Sequence, residues 1–205
     1  MSEIRVGVID YHLSNLRSVT NALSVLGVPA ELTQSPDRLD RFTHLILPGV
    51  GTFGAGIQNL RVAGLEAALR NQAGHRPILG ICLGMQLLAS EGDEFGPNRG
   101  LDLVPGRVVR LPDRPGLRVP HIGWNSVTLR RESPLFHGIP DGTSFYFVHS
   151  YVAVGVPAEY VTATCEYGSD QVIAVERARV YGVQFHPEKS HTMGLHVLRN
   201  FIEQC

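Results

Sequence analysis

The sequence predicts a three-layer α/β/α fold, built on a mostly parallel sheet with a small antiparallel extension. A strand-like run at residues 4–9 alternates and then becomes continuously apolar. A helical pattern follows it, with one apolar face formed by Leu16, Val19, Leu23 and Leu26. The same order of strand and then helix recurs as far as residue 89, which is typical of a doubly wound parallel sheet.

The first half of the chain supplies the parallel strands and their helices. Ser14 is the expected N-cap of the first helix. One long helix is predicted over residues 57–70, and a second helix-forming run covers residues 83–89. The strands after the first are expected at residues 30–32, 45–47 and 77–79. In such sheets, ligands bind beyond the carboxyl ends of the strands.

The second half reads as short β-like pieces separated by turns, and it ends in a helix. The pieces lie at residues 108–109, 119–124, 127–129, 144–148, 160–165, 172–175 and 180–185. The final helix buries Leu195, Leu198, Phe201 and Ile202. No linker or repeat separates this half from the first, so we predict a single domain over residues 1–205.

Composition excludes several classes of function. The chain has 205 residues, a net charge of −1 and no apolar run near the roughly 20 residues that span a membrane, so neither nucleic acid nor membrane is an expected partner. Three cysteines without CxxC spacing, and no signal peptide, favour a cytoplasmic location. His191 and His196 are five residues apart and HExxH is absent, so no metal site and no cofactor are expected.

Cys82 lies in the heptapeptide Gly80-Ile81-Cys82-Leu83-Gly84-Met85-Gln86, between a strand-like run and a helix-forming run. A cysteine with glycine two residues before and two after it fits a nucleophile elbow, in which a tight turn exposes the reactive side chain. A helix that begins at Leu83 places its positive end beside the thiol and favours the thiolate. The alternative is a small buried hydrophobic residue at a strand end.

His186 and Glu188 follow the predicted strand 180–185 and are separated by Pro187. In an extended chain, side chains at i and i+2 project to the same side, so the carboxylate can orient the imidazole. Together with Cys82 they predict a cysteine, histidine and carboxylate triad. Alone, His186 has an ordinary alternative as a surface histidine or a hydrogen-bonded core histidine.

The loop Pro48-Gly49-Val50-Gly51-Thr52-Phe53-Gly54 follows the third strand. It lacks the lysine of a P-loop and the GxGxxG spacing, so nucleotide binding is disfavoured. A thiol acyl-transfer site needs two backbone N–H donors for an oxyanion, one from the residue after the nucleophile and one from a neighbouring loop. Leu83 and the Gly49-Val50-Gly51 segment are suitable for these positions.

The GICLGMQ, QFHPEKS and PGVGTF segments together resemble those of the class I (triad) glutamine amidotransferases. Within that class, PHIGWN and FVHSY narrow the resemblance to the glutaminase subunits of imidazole glycerol phosphate synthase. The segments DYHLSNLRSV, LPGVGTFGAGI, GICLGMQLL, PHIGWNSV, FYFVHSY and GVQFHPEKS follow the order and spacing of that family along nearly the whole chain. The family usually has Asp-Tyr-Gly-x-Gly-Asn after the first strand, whereas His12 and Ser14 replace both glycines here.

The resemblance implies a flavodoxin-like fold and hydrolysis of L-glutamine to glutamate and ammonia through a Cys thioester. It further implies a heterodimer with a (β/α)8 cyclase that converts PRFAR to imidazole glycerol phosphate and AICAR in histidine biosynthesis. The implied site residues are Cys82, His186 and Glu188 for catalysis, Val50 and Leu83 N–H for the oxyanion, Gly51, Gln86, Ser150 and Tyr151 for glutamine, and Trp124 and Asn125 for the cyclase.

Three alternatives stay open at the level of sequence. A related glutaminase can feed a different synthase, such as a sugar amidotransferase. The fold can be retained as a binding module without turnover, although the intact triad argues against this. A stand-alone thiol hydrolase of peptides or γ-glutamyl compounds uses the same three side chains.

Overall fold

Five parallel strands form the centre of the molecule. The computed structural model describes residues 4–114 and 116–205. Its parallel strands, in sheet order, are β2 (Ala30–Thr33), β1 (Val6–Ile9), β3 (His44–Gly49), β4 (Ile78–Cys82) and β14 (Val180–Val183). All residues of β1, β4 and β14 are buried, as expected for strands covered on both faces.

Helices cover both faces of this sheet. They are α1 (Leu16–Val25), α2 (Phe53–Val62), α3 (Leu65–Gln72), α4 (Leu83–Leu87) and α5 (His191–Gln204). One apolar cluster joins the sheet to α1 and α5 through residues such as Leu23 and Phe201. A second cluster joins the other face to α2 and α3 through residues such as Leu60 and Leu69. The predicted α/β/α fold is confirmed.

Antiparallel strands extend the sheet beyond β14. The remaining strands are β5 (Glu91–Gly92), β6 (Asn98–Arg99), β7 (Arg107–Arg110), β8 (His121–Ser126), β9 (Thr128–Leu129), β10 (Ser144–His149), β11 (Tyr151–Val154), β12 (Val161–Glu166) and β13 (Asp170–Arg177). Strand β13 pairs antiparallel with β14 and continues the sheet toward β11 and β7. Strands β8 and β10 form a separate antiparallel ribbon. The residues that directly follow β10, Ser150 and Tyr151, lie at the site described below.

Two local predictions in the first half are wrong. The region predicted as one helix over residues 57–70 contains two helices, because Gly64 adopts a left-handed φ of +70° and interrupts the helix between α2 and α3. Asn15, not Ser14, precedes α1, and the Ser14 hydroxyl donates instead to the Pro48 carbonyl at 3.1 Å. Ser14 thus connects the loop after β1 to the loop at the end of β3.

None of the helices in the described ranges is both long enough and apolar enough to cross a membrane.

Candidate active site

Cys82 lies at a sharp turn between β4 and α4. Its backbone has a φ of +54° and a ψ of −111°, which is unusual for a residue with a side chain. A Cβ on Gly80 would lie 2.7 Å from the Gly84 carbonyl, and one on Gly84 would lie 1.7 Å from the Leu47 carbonyl oxygen. The two glycines are therefore required by close backbone contacts, and the turn has the geometry of a nucleophile elbow.

His186 and Glu188 form a buried pair beside Cys82. Nδ1 of His186 lies 2.8 Å from Oε1 of Glu188, and both side chains are almost fully inaccessible. The expectation that an extended chain aligns them is wrong. Strand β14 ends at Val183, and a 3-10 turn over Pro187–Lys189 returns the carboxylate to the imidazole. Sequence spacing thus indicated the correct pair, although the backbone reaches it by a turn.

The protonated form of His186 is favoured at this position. Burial lowers its pKa, but hydrogen bonding and charge interactions with Cys82 and Glu188 outweigh burial and raise the pKa to about 9. Nε2 is buried and has no hydrogen-bond partner among residues 4–114 and 116–205, and Cys82 is one of the two groups whose interaction with the ring raises the pKa. The ring can therefore hold a proton at the atom nearest the sulfur, while Glu188 accepts from the opposite nitrogen.

The glycine-rich loop after β3 borders the elbow but holds its central N–H elsewhere. The Val50 N–H donates to the Leu13 carbonyl at 2.8 Å. Gly51 has a φ of +110°, a backbone conformation in which a side chain would be strained. In this conformation the Val50 N–H offers no hydrogen bond to a group bound at Cys82. Leu83 is the first residue of α4, a position whose backbone N–H has no partner within the helix.

A cavity of about 340 Å³ opens onto Cys82. Seven other residues predicted for the site also line it, namely Val50, Gly51, Leu83, Gln86, Ser150, Tyr151 and His186. Glu188 is not part of the lining, since it lies behind the His186 ring. The cavity thus combines a thiol, an imidazole and amide groups in a space suited to a small polar molecule.

Comparison with known proteins decides the family. A profile described as glutamine amidotransferase class-I matches residues 7–205. The chain belongs to this family. It is therefore an enzyme of the glutamine amidotransferase type, and the resemblance noted from its motifs is confirmed.

Two relatives of this amidotransferase carry the name imidazole glycerol phosphate synthase subunit HisH. The one from Moorella thermoacetica is 51% identical over 199 residues, which cover 97% of this chain and 94% of the relative. The one from Symbiobacterium thermophilum is 48% identical and covers 96% of this chain and 92% of the relative. At this identity over nearly the full length, the chain belongs to the HisH group of the amidotransferases.

Solved structures agree with the fold. A crystal structure of a glutamine amidotransferase has a TM-score of 0.75 at 25% identity, covering 97% of both chains. The structure of PurLQS from Thermotoga maritima has a TM-score of 0.74 at 20% identity, covering 98% of both chains. The second similarity supports the fold alone.

The structure adds residues to the amidotransferase site that the sequence reasoning missed. Glu94, Pro120, Val148, His149 and Lys189 also line the cavity. Oε2 of Glu94 accepts from the Phe53 N–H at 2.8 Å. Glu94 lies in a loop between two very short strands, where no local pattern distinguishes it from a surface glutamate. Only the folded chain brings it to the cavity.

Gln184 is a further residue that the sequence reasoning missed. It is fully buried, and its Nε2 lies 3.7 Å from the Cys82 sulfur. Its Oε1 accepts from Nε2 of Gln86 at 3.0 Å, and the same Gln86 nitrogen donates to the Tyr151 carbonyl at 3.1 Å. A polar residue inside the apolar run before His186 was the available signal.

Trp124 and Asn125 lie on the β8–β10 ribbon and do not line the cavity. The Trp124 side chain is 48% exposed, stacks on His191 and contacts Tyr146 edge-on. It is therefore not a core tryptophan. Asn125 is half-buried, and its amide donates to the Glu166 carbonyl at 2.9 Å. Of the two residues, Trp124 presents the larger apolar surface to solvent.

No group of three or more histidine, cysteine, aspartate or glutamate side chains in residues 4–114 and 116–205 is arranged to hold a metal ion.

Proposed function

We propose that this chain is the glutaminase subunit of an imidazole glycerol phosphate synthase, in which it hydrolyses L-glutamine and supplies ammonia to a (β/α)8 cyclase subunit. The observation that carries the proposal is the Cys82 elbow beside the buried His186–Glu188 pair, in a chain 51% identical to a HisH subunit. That identity favours this synthase over other ammonia-consuming synthases and over a stand-alone thiol hydrolase.

Acylation begins with the Cys82 thiolate and the protonated His186. The sulfur attacks the side-chain amide carbon of glutamine and forms a tetrahedral oxyanion. His186 then donates its proton to the leaving nitrogen, ammonia departs, and a γ-glutamyl thioester remains on the sulfur. The raised pKa of His186 keeps it protonated for this step, and Glu188 stabilises the imidazolium.

Deacylation reverses the role of the imidazole. Neutral His186 takes a proton from water, the hydroxide attacks the thioester carbonyl, and collapse of the second oxyanion releases glutamate and the thiolate. Both oxyanions need donors. We assign these to the N–H groups of Leu83 and Val50, and the Val50 peptide must first leave the Leu13 carbonyl.

Glutamine recognition is assigned to the polar part of the cavity. Gly51, Gln86, Ser150 and Tyr151 surround the amino-acid portion of the substrate. The ammonium group of glutamine needs a carboxylate, and Glu94 provides one that also accepts from the Phe53 N–H.

The cyclase is assigned to the ribbon face. Ile122 and Trp124 lie two residues apart on β8 and are 59% and 48% exposed. Trp124 pairs with Tyr146 on β10, and the ammonium group of Lys189, which lines the cavity, lies over the Tyr146 ring. Exposed aromatic side chains of this kind are typical anchors of protein interfaces. The cyclase consumes PRFAR and the ammonia and forms imidazole glycerol phosphate and AICAR, and the pair is a heterodimer in the cytoplasm.

The test is glutamate formation by the purified chain alone, with the cyclase, and with the cyclase plus PRFAR. We expect slow turnover alone and strong acceleration by both additions. Cys82→Ala must abolish glutamine hydrolysis in every condition, while the complex still uses free ammonia. Glutaminase turnover retained by Cys82→Ala, or full turnover in isolation without response to the cyclase, would contradict the proposal.

A further inference from the structure

Gln184 contacts the nucleophile without lining the cavity. It has no accessible surface and follows strand β14, two residues before His186. Its side-chain nitrogen is 3.7 Å from Sγ of Cys82, within hydrogen-bonding distance for sulfur. A buried amide in such a place requires partners for both its oxygen and its nitrogen.

The orientation of the Gln184 amide is dictated by a chain of hydrogen bonds. The Tyr151 carbonyl can only accept, so Gln86 must turn its NH2 group toward it. The same NH2 group faces Gln184, which therefore has to present its oxygen to Gln86. The only group left for the sulfur is the Gln184 NH2. Reversal of this amide would place two donors against each other at Gln86 and an oxygen against Sγ.

We infer that Gln184 is a further catalytic residue, whose N–H group stabilises the Cys82 thiolate while the Tyr151 carbonyl, through Gln86, sets the direction of that N–H. The inference rests on the proposed function. A donor hydrogen-bonded to the charged form of a group favours ionisation. The segment that follows β14 thus gives the thiolate a side-chain donor from Gln184 and a nearby positive charge from protonated His186.

Other titratable groups also face this region. Tyr11, two residues after β1, interacts with the charge on Cys82, and its own pKa is raised, chiefly by burial. His149 lies beyond His186, and its pKa is lowered to about 4, chiefly by burial, so it is neutral near pH 7. Glu188, Glu94 and Lys189 also lie at the site, and His121 contacts His149 at 3.0 Å. None of them contacts Sγ in the way that Gln184 does, so substitution of Gln184 changes one donor at a time.

The experiment measures the rate at which iodoacetamide alkylates Cys82 in the full chain as a function of pH. The Cys82 peptide is quantified by mass spectrometry. Cys165 and Cys205 interfere little, since burial raises the pKa of each thiol to about 12. The variants are Gln184→Met, which removes the donor at similar volume, and Gln184→Glu, which retains an acceptor for Gln86. The matched control is Gln171→Met, because Gln171 is another buried glutamine with its own hydrogen bonds.

We expect the alkylation midpoint of Gln184→Met to rise by about one pH unit, with a larger rise for Gln184→Glu because a carboxylate repels the thiolate. Gln171→Met should lose stability without moving the midpoint. In the cyclase complex, kcat of Gln184→Met should fall on the order of tenfold at an almost unchanged KM for glutamine, because Gln184 is outside the cavity.

An unchanged midpoint in either folded Gln184 variant would overturn the inference and leave Gln184 a structural residue. Circular dichroism establishes folding, and one folded variant is sufficient for the decision. Alkylation needs neither glutamine nor the cyclase, so the two proposals fail separately. A wild-type chain without glutaminase activity would overturn the proposed function, whereas an active wild type with unshifted variants would overturn only the role of Gln184.

Discussion

Cys82, the proposed nucleophile, is one of the non-glycine residues with a positive φ. Cys82 has a left-handed φ of +54°, although cysteine gains nothing from that conformation, and the packed glycines on both sides leave the chain no room to relax. The strained turn aims the sulfur at the cavity and places it between His186 and Gln184. Position and protonation of the sulfur are therefore set by two segments of the chain, the elbow between β4 and α4 and the residues that follow β14.

The first prediction concerns the pKa of His186. The pKa is raised from 6.5 to about 9, so His186 binds its proton more tightly in the folded state than in the unfolded state. Protonation of His186 therefore stabilises the folded state fully at a pH below 6.5, and this stabilisation is lost as the pH rises through 9. Glu188→Gln removes one charge that favours the proton, so the pKa of His186 should fall and hydrolysis should weaken less than in Cys82→Ala. Imidazole NMR titration and glutamate assays measure both effects.

The matched control for this change is Glu203→Gln, which alters an exposed carboxylate on α5. It should leave the His186 titration unchanged. If Glu188→Gln left the titration unchanged as well, the carboxylate would have no electrostatic role at the imidazole.

At this scale, the sequence was sufficient to predict that Cys82, His186 and Glu188 come together, but not to predict the residues that surround them. Glycine spacing around Cys82 and the His-Pro-Glu order carry a local geometric meaning, so they could be interpreted without a fold. Gln184 and Glu94 gain their positions from contacts to residues far away in the chain, at Cys82 and Phe53. Contacts between residues so far apart in the chain produce no periodic pattern in the sequence.

At the scale of elements, apolar runs predicted the central strands well and their ends poorly. The buried strands β1, β3, β4 and β14 are where continuous apolar residues indicated them. The helix predicted over residues 57–70 is interrupted after Val62, because Gly64 adopts a left-handed φ of +70° between α2 and α3. Strand β11 was missed, since Tyr151–Val154 directly follows β10 without a turn signal.

The second prediction concerns the loop after β3. The proposed donor at Val50 is a backbone group, so Val50→Ala should keep most of the turnover. Val50→Pro deletes the N–H and should lose on the order of 10²- to 10³-fold in cyclase-stimulated turnover. The stimulated rate is the relevant one, because the N–H is bonded to the Leu13 carbonyl in the present conformation. Similar losses in both folded variants would contradict a backbone role.

The third prediction concerns Ser14, whose hydroxyl holds the Pro48 carbonyl next to that loop. Ser14→Ala removes a hydrogen bond that anchors the loop in the conformation with Val50 on Leu13. A bond of this kind contributes about 1 kcal/mol, so unstimulated turnover should rise roughly fivefold while the stimulated rate changes little. Steady-state glutamate formation measures both, and Ser18→Ala on α1 is the control. A lower unstimulated rate would show that Ser14 supports the active loop conformation instead.

At the scale of the whole molecule, the site lies where the parallel sheet, its antiparallel extension and the ribbon meet. The elbow belongs to β4, the imidazole follows β14, and Ser150 and Tyr151 follow the last strand of the ribbon. The backbone N–H of His186 also donates to the Tyr146 carbonyl on β10 at 2.9 Å. A partner that contacts the outer face of the ribbon is thus one strand away from both the histidine and the substrate residues.

The final prediction tests this connection through Trp124. Its indole is half exposed and stacks on His191, so truncation removes an interface anchor without opening the core. Loss of such an anchor commonly costs about 2 kcal/mol of binding, so Trp124→Ala should bind the cyclase roughly 30-fold more weakly while its unstimulated glutaminase rate stays unchanged. Calorimetric titration with the cyclase measures the first effect and glutamate formation the second. Val62→Ala is the control, because Val62 is a 77% exposed apolar residue on α2, away from the ribbon. Equal affinity of the wild type and Trp124→Ala for the cyclase would place the interface on another face of the molecule.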